Sequence, residues 1–257
     1  MYRLICLVLL SLSVPVFAAP ASDPYTQGME AFAAGRYDRA AQRFQAALEK
    51  RPDFAPYHYM LAMSLLRQGR YVDAVTHFEA VLRSKADEEL RGKAWVNMLR
   101  ALIELKDYDE VERVARRALE DLPNQAEVFN QLGRARLNRG DYTGAIDVLS
   151  RATQLAPNDW SIYNNLGLAY LNAGNLKGAL RAFERAAQLN GRQAFVQNNL
   201  GVTYERLHRY ADAQRAYQRA LDIDPGYAKA RQSIQRVRRL SASKQQSNYA
   251  IGNGSSR

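Results

Sequence analysis

The chain has 257 residues, 47% hydrophobic and 24% charged, a balance that excludes wholesale disorder and suffices for one large domain or two ordinary ones. Thirty-six Lys and Arg against 26 Asp and Glu give a formal charge of +10, so acidic proteins, anionic lipid and nucleic acid are the partner classes to weigh. A single cysteine excludes an internal disulfide framework.

The first residues, MYRLICLVLLSLSVPVFAAP, place Arg3 before an apolar run from Leu4 to Leu12, then Pro15 and the small-residue stretch ending at Ala18 and Ala19. That layout predicts a secretory signal peptide over residues 1–18, cleaved after Ala18, and an exported, periplasmic chain. The run is short of the ~20 residues that span a bilayer, which argues against an uncleaved anchor. Cys6 leaves with the signal, and it stands at the start of the apolar run, unlike the acylated cysteine of a lipoprotein. Losing Arg3 leaves 35 basic residues and a charge of +9, which in an exported chain favours envelope polymers, anionic lipid or acidic proteins and disfavours nucleic acid.

From residue 21 the chain repeats itself. Small residues recur at Gly28, Ala62, Gly133, Gly167 and Gly201, and alanines at Ala40, Ala74, Ala145, Ala179 and Ala213, in steps of 34 within each block. The third unit joins through Leu99 and Val111 after a three-residue insertion in SKADEELRG. Aromatics mark the turn at Tyr37, Tyr71, Tyr108, Tyr142 and Tyr210, and Phe44, Phe78, Leu149, Phe183 and Tyr217 follow, with Ala115 the weak member. Pro52, Pro123, Pro157 and Pro225 close four units.

Each unit reads as two helices. Tyr163, Leu166, Gly167 and Tyr170 share one helix face, Gly174-Asn175 interrupts it, and Ala179, Phe183 and Ala186 form a second apolar stripe. These residues resemble the tetratricopeptide repeat (TPR), a 34-residue helix-turn-helix family, over residues 21–227 and best at YNNLGLAYLNAGNLKGALRAFERA (163–186). The resemblance implies an all-α, right-handed superhelical solenoid of about six units whose first helices line a concave surface. The third unit departs most, with Leu99, Lys106, Val111 and Ala115 at signature columns, and marks a place for a bend.

Residues 228–240 predict a capping helix. Its Lys229, Arg231, Arg236, Arg238 and Arg239 have no balancing acid nearby in sequence, so it reads either as a solvated cap or as a contact for an anionic membrane surface. Residues 241–257 are polar and predict a disordered tail.

Two amide columns flank the first-helix stripe: Asn97, Gln131, Asn165 and Asn199, and one residue earlier Asn130, Asn164 and Asn198. A primary amide matches a peptide group's donor and acceptor, so these side chains could hold a partner's backbone in the groove; equally, they could bond neighbouring units together. Tyr25, Met29 and Phe32, then Tyr59, Met63 and Leu66, occupy groove-facing columns in the first two units, either as an adaptable apolar docking surface or as core. Lys93, Arg100 and Arg134 add positive charge, with Glu104 and Glu127 nearby as either counter-charges or parts of a solvated face.

No catalytic, cofactor or metal site is expected: His58, His77 and His208 show no metal-ligand spacing, and no serine elbow, phosphate loop or cysteine pair is present. The expected function is an exported, non-enzymatic scaffold that binds an extended or helical segment of another envelope protein. Its layout resembles assembly factors of bacterial pilus and secretion systems, Tad-type pilus proteins among them. The alternatives are a surface-associated structural protein held by the basic C-terminal helix, and a regulatory accessory to an envelope enzyme.

Overall fold

The computed structural model describes residues 23–254; the expected signal peptide and its cleavage site lie outside the described residues. Among the described residues the fold is all-α, with thirteen helices packed in sequential pairs. The pairs are α1 (Pro24–Ala33) with α2 (Tyr37–Lys50), α3 (Ala55–Arg67) with α4 (Tyr71–Arg83), and α5 (Glu88–Glu104) with α6 (Tyr108–Asp121). They continue as α7 (Ala126–Arg139) with α8 (Tyr142–Leu155), α9 (Trp160–Asn172) with α10 (Leu176–Leu189), and α11 (Ala194–Arg206) with α12 (Tyr210–Ile223), before α13 (Ala228–Gly254).

A left-handed residue makes each sharp turn inside a unit. Gly35, Gly69, Gly140 and Gly174 fill that position with φ of 71° to 87°. In the third and sixth units Lys106 and His208 take it at φ 59° and 57°, a conformation costing a side-chain-bearing residue roughly 1–2 kcal/mol. In three units the next residue, Asp107, Asp141 or Asn175, caps the second helix by accepting a backbone N–H three residues on.

The two helices of a unit meet where a small residue on the first faces a large one sixteen positions later. A Cβ added to Gly28, Gly133, Gly167 or Gly201 would lie 2.6, 2.4, 2.6 or 2.5 Å from Phe44, Leu149, Phe183 or Tyr217. The third unit inverts the pair: Leu99 is the large member and Ala115 the small one, both fully buried in one core cluster. Its departure from the pattern therefore conserves volume. The three-residue insertion lengthens α5 to 17 residues, against 13 for α3, and the carboxylates Glu88 and Glu89 stand in its first turn.

From α3 onward the first helices of neighbouring units touch one another and continue to α13, whereas second helices of neighbouring units make no comparable contact among the described residues. The stack thus curves, with α3, α5, α7, α9 and α11 on its inner side. α13 covers the open end by packing Ala230, Ser233, Ile234 and Val237, at i, i+3, i+4 and i+7, against the last unit. The backbone stays helical beyond Leu240 to Gly254, where composition predicts a disordered tail. No glycine or proline interrupts the chain between residues 241 and 251, so nothing local stops the helix.

Candidate functional site

The inner face is crossed by one polar seam. Asn97 Nδ2 donates to the Tyr59 hydroxyl at 3.1 Å and to the Lys93 carbonyl at 2.9 Å. Arg100 donates to Asn97 Oδ1 at 3.4 Å and pairs with Glu127 at 3.0 Å. Glu127 is the hub, since its two oxygens also accept Gln131 Nε2 at 2.6 Å and Asn130 Nδ2 at 3.1 Å.

Two rungs extend the seam toward the C-terminus. Asn165 Nδ2 donates to Asn130 Oδ1 at 2.8 Å, and Asn199 Nδ2 donates to Asn164 Oδ1 at 3.1 Å. Each rung joins one amide column of a unit to the other column of the unit before, which explains why the asparagines come in adjacent pairs. Asn97, Asn130, Gln131, Asn164 and Asn198 are all buried. The amides bond repeat to repeat. The ladder stops at Asn198, whose buried Oδ1 has no partner among the described residues. The position 35 residues on is Ser233, whose hydroxyl instead accepts from Arg236 at 3.1 Å.

What remains open on this face is a channel beside the seam, formed by two adjoining clefts that share Asn97 and Arg100. The larger, of about 630 Å³, runs from Glu88, Glu89 and Lys93 past Val96 to Gln125 and Glu127. The other, of about 460 Å³, is floored by Met63, Leu66 and Tyr71 and edged by Arg67, Glu104 and Arg134. Arg134 is half-buried, and its Nη1 donates to Gln131 Oε1 at 2.6 Å, but among the described residues no carboxylate pairs with it. Burial first, and then the neighbouring charge of Arg100, press its pKa below the ordinary value, against the opposing pull of Glu104 and Glu127.

The apolar candidates divide. Met63 lines the channel, and Tyr59 stands beside it with its hydroxyl in the seam and its pKa raised by burial. Tyr25 packs instead against Phe44 and Tyr57 at centroid distances of 5.7 and 5.0 Å, and Phe32 against Tyr37 at 5.3 Å, while Met29 is exposed. Leu66 and Glu104, both expected at the groove, line the channel, and Arg67 and Tyr71, which the groove columns do not include, join them. They sit at the ends and turns of helices, away from the amide columns.

On α13 the expected lack of acid partners fails at Arg236, which grips Glu205 of α11 with two bonds of 2.7 and 2.8 Å. Glu205 is distant in sequence, so only the fold reveals the pair. Lys229, Arg231, Arg238 and Arg239 remain on the exposed side.

Sequence profiles described as tetratricopeptide repeat or TPR repeat match residues 25–89, 65–135, 133–174 and 160–225. No curated protein sequence matches the chain. Among solved structures, that of the APC/C hetero-tetramer Cut9–Hcn1 superposes with TM-score 0.68 at 18% identity, over 83% of this chain and 42% of the other. The MamA fragment from Desulfovibrio magneticus RS-1 gives 0.57 at 22% identity, over 67% and 96% of the two chains. YrrB, described as a TPR protein with an unusual peptide-binding site, gives 0.55 at 23%, over 76% and 100%. At these identities the likeness is one of fold. With profile matches running continuously from residue 25 to 225 over paired helices, the chain belongs to the tetratricopeptide repeat family.

Proposed function

We propose that this chain is a non-enzymatic scaffold that holds a segment of another protein in the channel along units two to four, supporting assembly of an envelope complex of the pilus or secretion-system type. The observation that carries the reading is Arg134: a half-buried guanidinium lining the channel beside Arg100 and apolar side chains, near Glu104 and Glu127 but in direct ion pair with neither. Such a site gains from an incoming anion, because a carboxylate bonded there relieves both the burial cost and the Arg100 repulsion. Met63 and Leu66 offer an adaptable surface for an apolar neighbour. The preferred occupant is thus an extended or helical segment with an acidic side chain next to an apolar one.

Export rests on the secretory layout of residues 1–19, and predicts a mature N-terminus at Ala19 when the protein is sequenced from cells. The binding claim is tested by selecting random displayed peptides on the purified chain. Enrichment of Asp or Glu beside apolar residues, lost on Arg134→Glu, is the expected result. Absence of enrichment, or binders indifferent to that charge reversal, rejects it.

A further inference from the structure

The second unit contains a pair of imidazoles that sequence spacing does not suggest. His58, in the first turn of α3, and His77, in the middle of α4, bring their Nδ1 atoms to 3.0 Å. The ring centroids are 5.3 Å apart, so the nitrogens lie close to the line joining the ring centres and the rings meet edge to edge. His58 Nε2 sits 2.7 Å from the Pro52 carbonyl, which can only accept, so that nitrogen carries the proton and the neutral ring presents a lone pair at Nδ1.

The repeat supplies its own comparison. Positions equivalent to His58 and His77 carry Trp95 with Val114, Phe129 with Val148, and Tyr163 with Ala182 in the next three units, an aromatic residue and an aliphatic one each time. Helix packing at this point therefore does not call for two imidazoles. His77 lines an open, solvent-filled cleft of about 400 Å³ together with Asp38, Gln42 and Gln45, and with Asp73, whose carboxylate is already paired with Arg70 of the same cleft.

We propose that His58 Nδ1 and His77 Nδ1 bind one divalent transition cation of the zinc class, with solvent from the cleft completing its coordination. Two nitrogens on a tetrahedral Zn²⁺ at ~2.0–2.1 Å stand about 3.3–3.4 Å apart, so an opening of a few tenths of an ångström, with each ring turning by about 35° to aim its lone pair at the ion, converts the hydrogen-bonded pair into a chelate. The ring proton of His77 moves from Nδ1 to Nε2, and the neutral pair takes the ion without net proton release. The Pro52 carbonyl already supplies the bond to the far nitrogen that normally orients a ligating histidine. The site lies in a different cleft from the peptide channel and stands independently of it.

The test is a titration of the untagged chain with ZnCl2 by calorimetry, beside thermal melts with and without the ion. One ion per chain, an affinity at least tenfold weaker in both His58→Gln and His77→Gln but unchanged in His208→Gln, and a metal-dependent rise in Tm confined to the wild type and His208→Gln are expected. If His77→Gln does not fold, His58→Gln alone decides. No binding, or binding indifferent to His58, overturns the proposal.

Discussion

Asn165 of α9 donates its amide hydrogen to Asn130 Oδ1 of α7 across 2.8 Å, and the next unit repeats the bond between Asn199 and Asn164. The inner surface is thereby tied together by the groups best suited to read a bound backbone. The proposed partner site is the channel beside them. Replacing Asn165 and Asn199 together with alanine strands the Asn130 and Asn164 acceptors, and is expected to destabilise the chain by ~1–3 kcal/mol per rung, outweighing alanine's helix propensity. A thermal melt checks this, and an unchanged or higher Tm would show that the rungs contribute nothing.

Leu99 and Ala115 reverse the size order kept by the other units, and unit two, with Ala62 facing Phe78, shows the usual arrangement. Leu99→Ala should cost ~2–5 kcal/mol by leaving a cavity. Ala115→Phe should cost ~1–3 kcal/mol or more by overpacking. The double variant recreates the unit-two pair, so its loss should fall short of the sum by more than ~1 kcal/mol in denaturant melts. Strict additivity would show that the two positions do not share a volume.

Glu205 anchors the cap through two bonds from Arg236 and one from the Tyr217 hydroxyl at 2.8 Å. Burial works to raise its pKa, but these bonds outweigh it and hold the carboxyl below its ordinary 4.5. A carboxylate depressed on folding stabilises the protein fully above its unfolded pKa, and that contribution disappears as pH falls through the folded value. Glu205→Gln should therefore lower Tm at pH 7, with the gap to wild type closing below about pH 4. A gap independent of pH would assign the loss to shape instead of charge.

Fold and site differ in how far they can be read from sequence. The 34-residue period is set by local rules, a small residue against a large one and a left-handed turn residue, each repeated with little dependence on distant contacts. Even so, Leu99 and Ala115 taken singly depart from the signature columns, and the pair becomes visible only when the sixteen-residue step is compared across units. The amide columns were legible as positions, but not the direction of their bonds. That depends on a step of 35 between Asn130 and Asn165, where the column spacing is 34. Arg236 with Glu205 and His58 with His77 were hidden for a plainer reason: each pair joins different helices at separations with no short-range signature. The helix beyond Leu240 was missed because polar composition does not distinguish a tail from a solvated helix.

We propose that the channel cations bind a partner's acidic segment while the asparagines serve the fold. It is tested most directly by calorimetric titration of a selected acidic-apolar peptide against wild type, Arg134→Glu and the Asn165→Ala/Asn199→Ala double variant, at a temperature where all three are folded. Reversing a bonded charge should weaken binding by at least ~2 kcal/mol, about thirtyfold, while the asparagine variant binds within threefold of wild type. Undiminished binding to Arg134→Glu, with loss on removing the asparagines, would contradict the account.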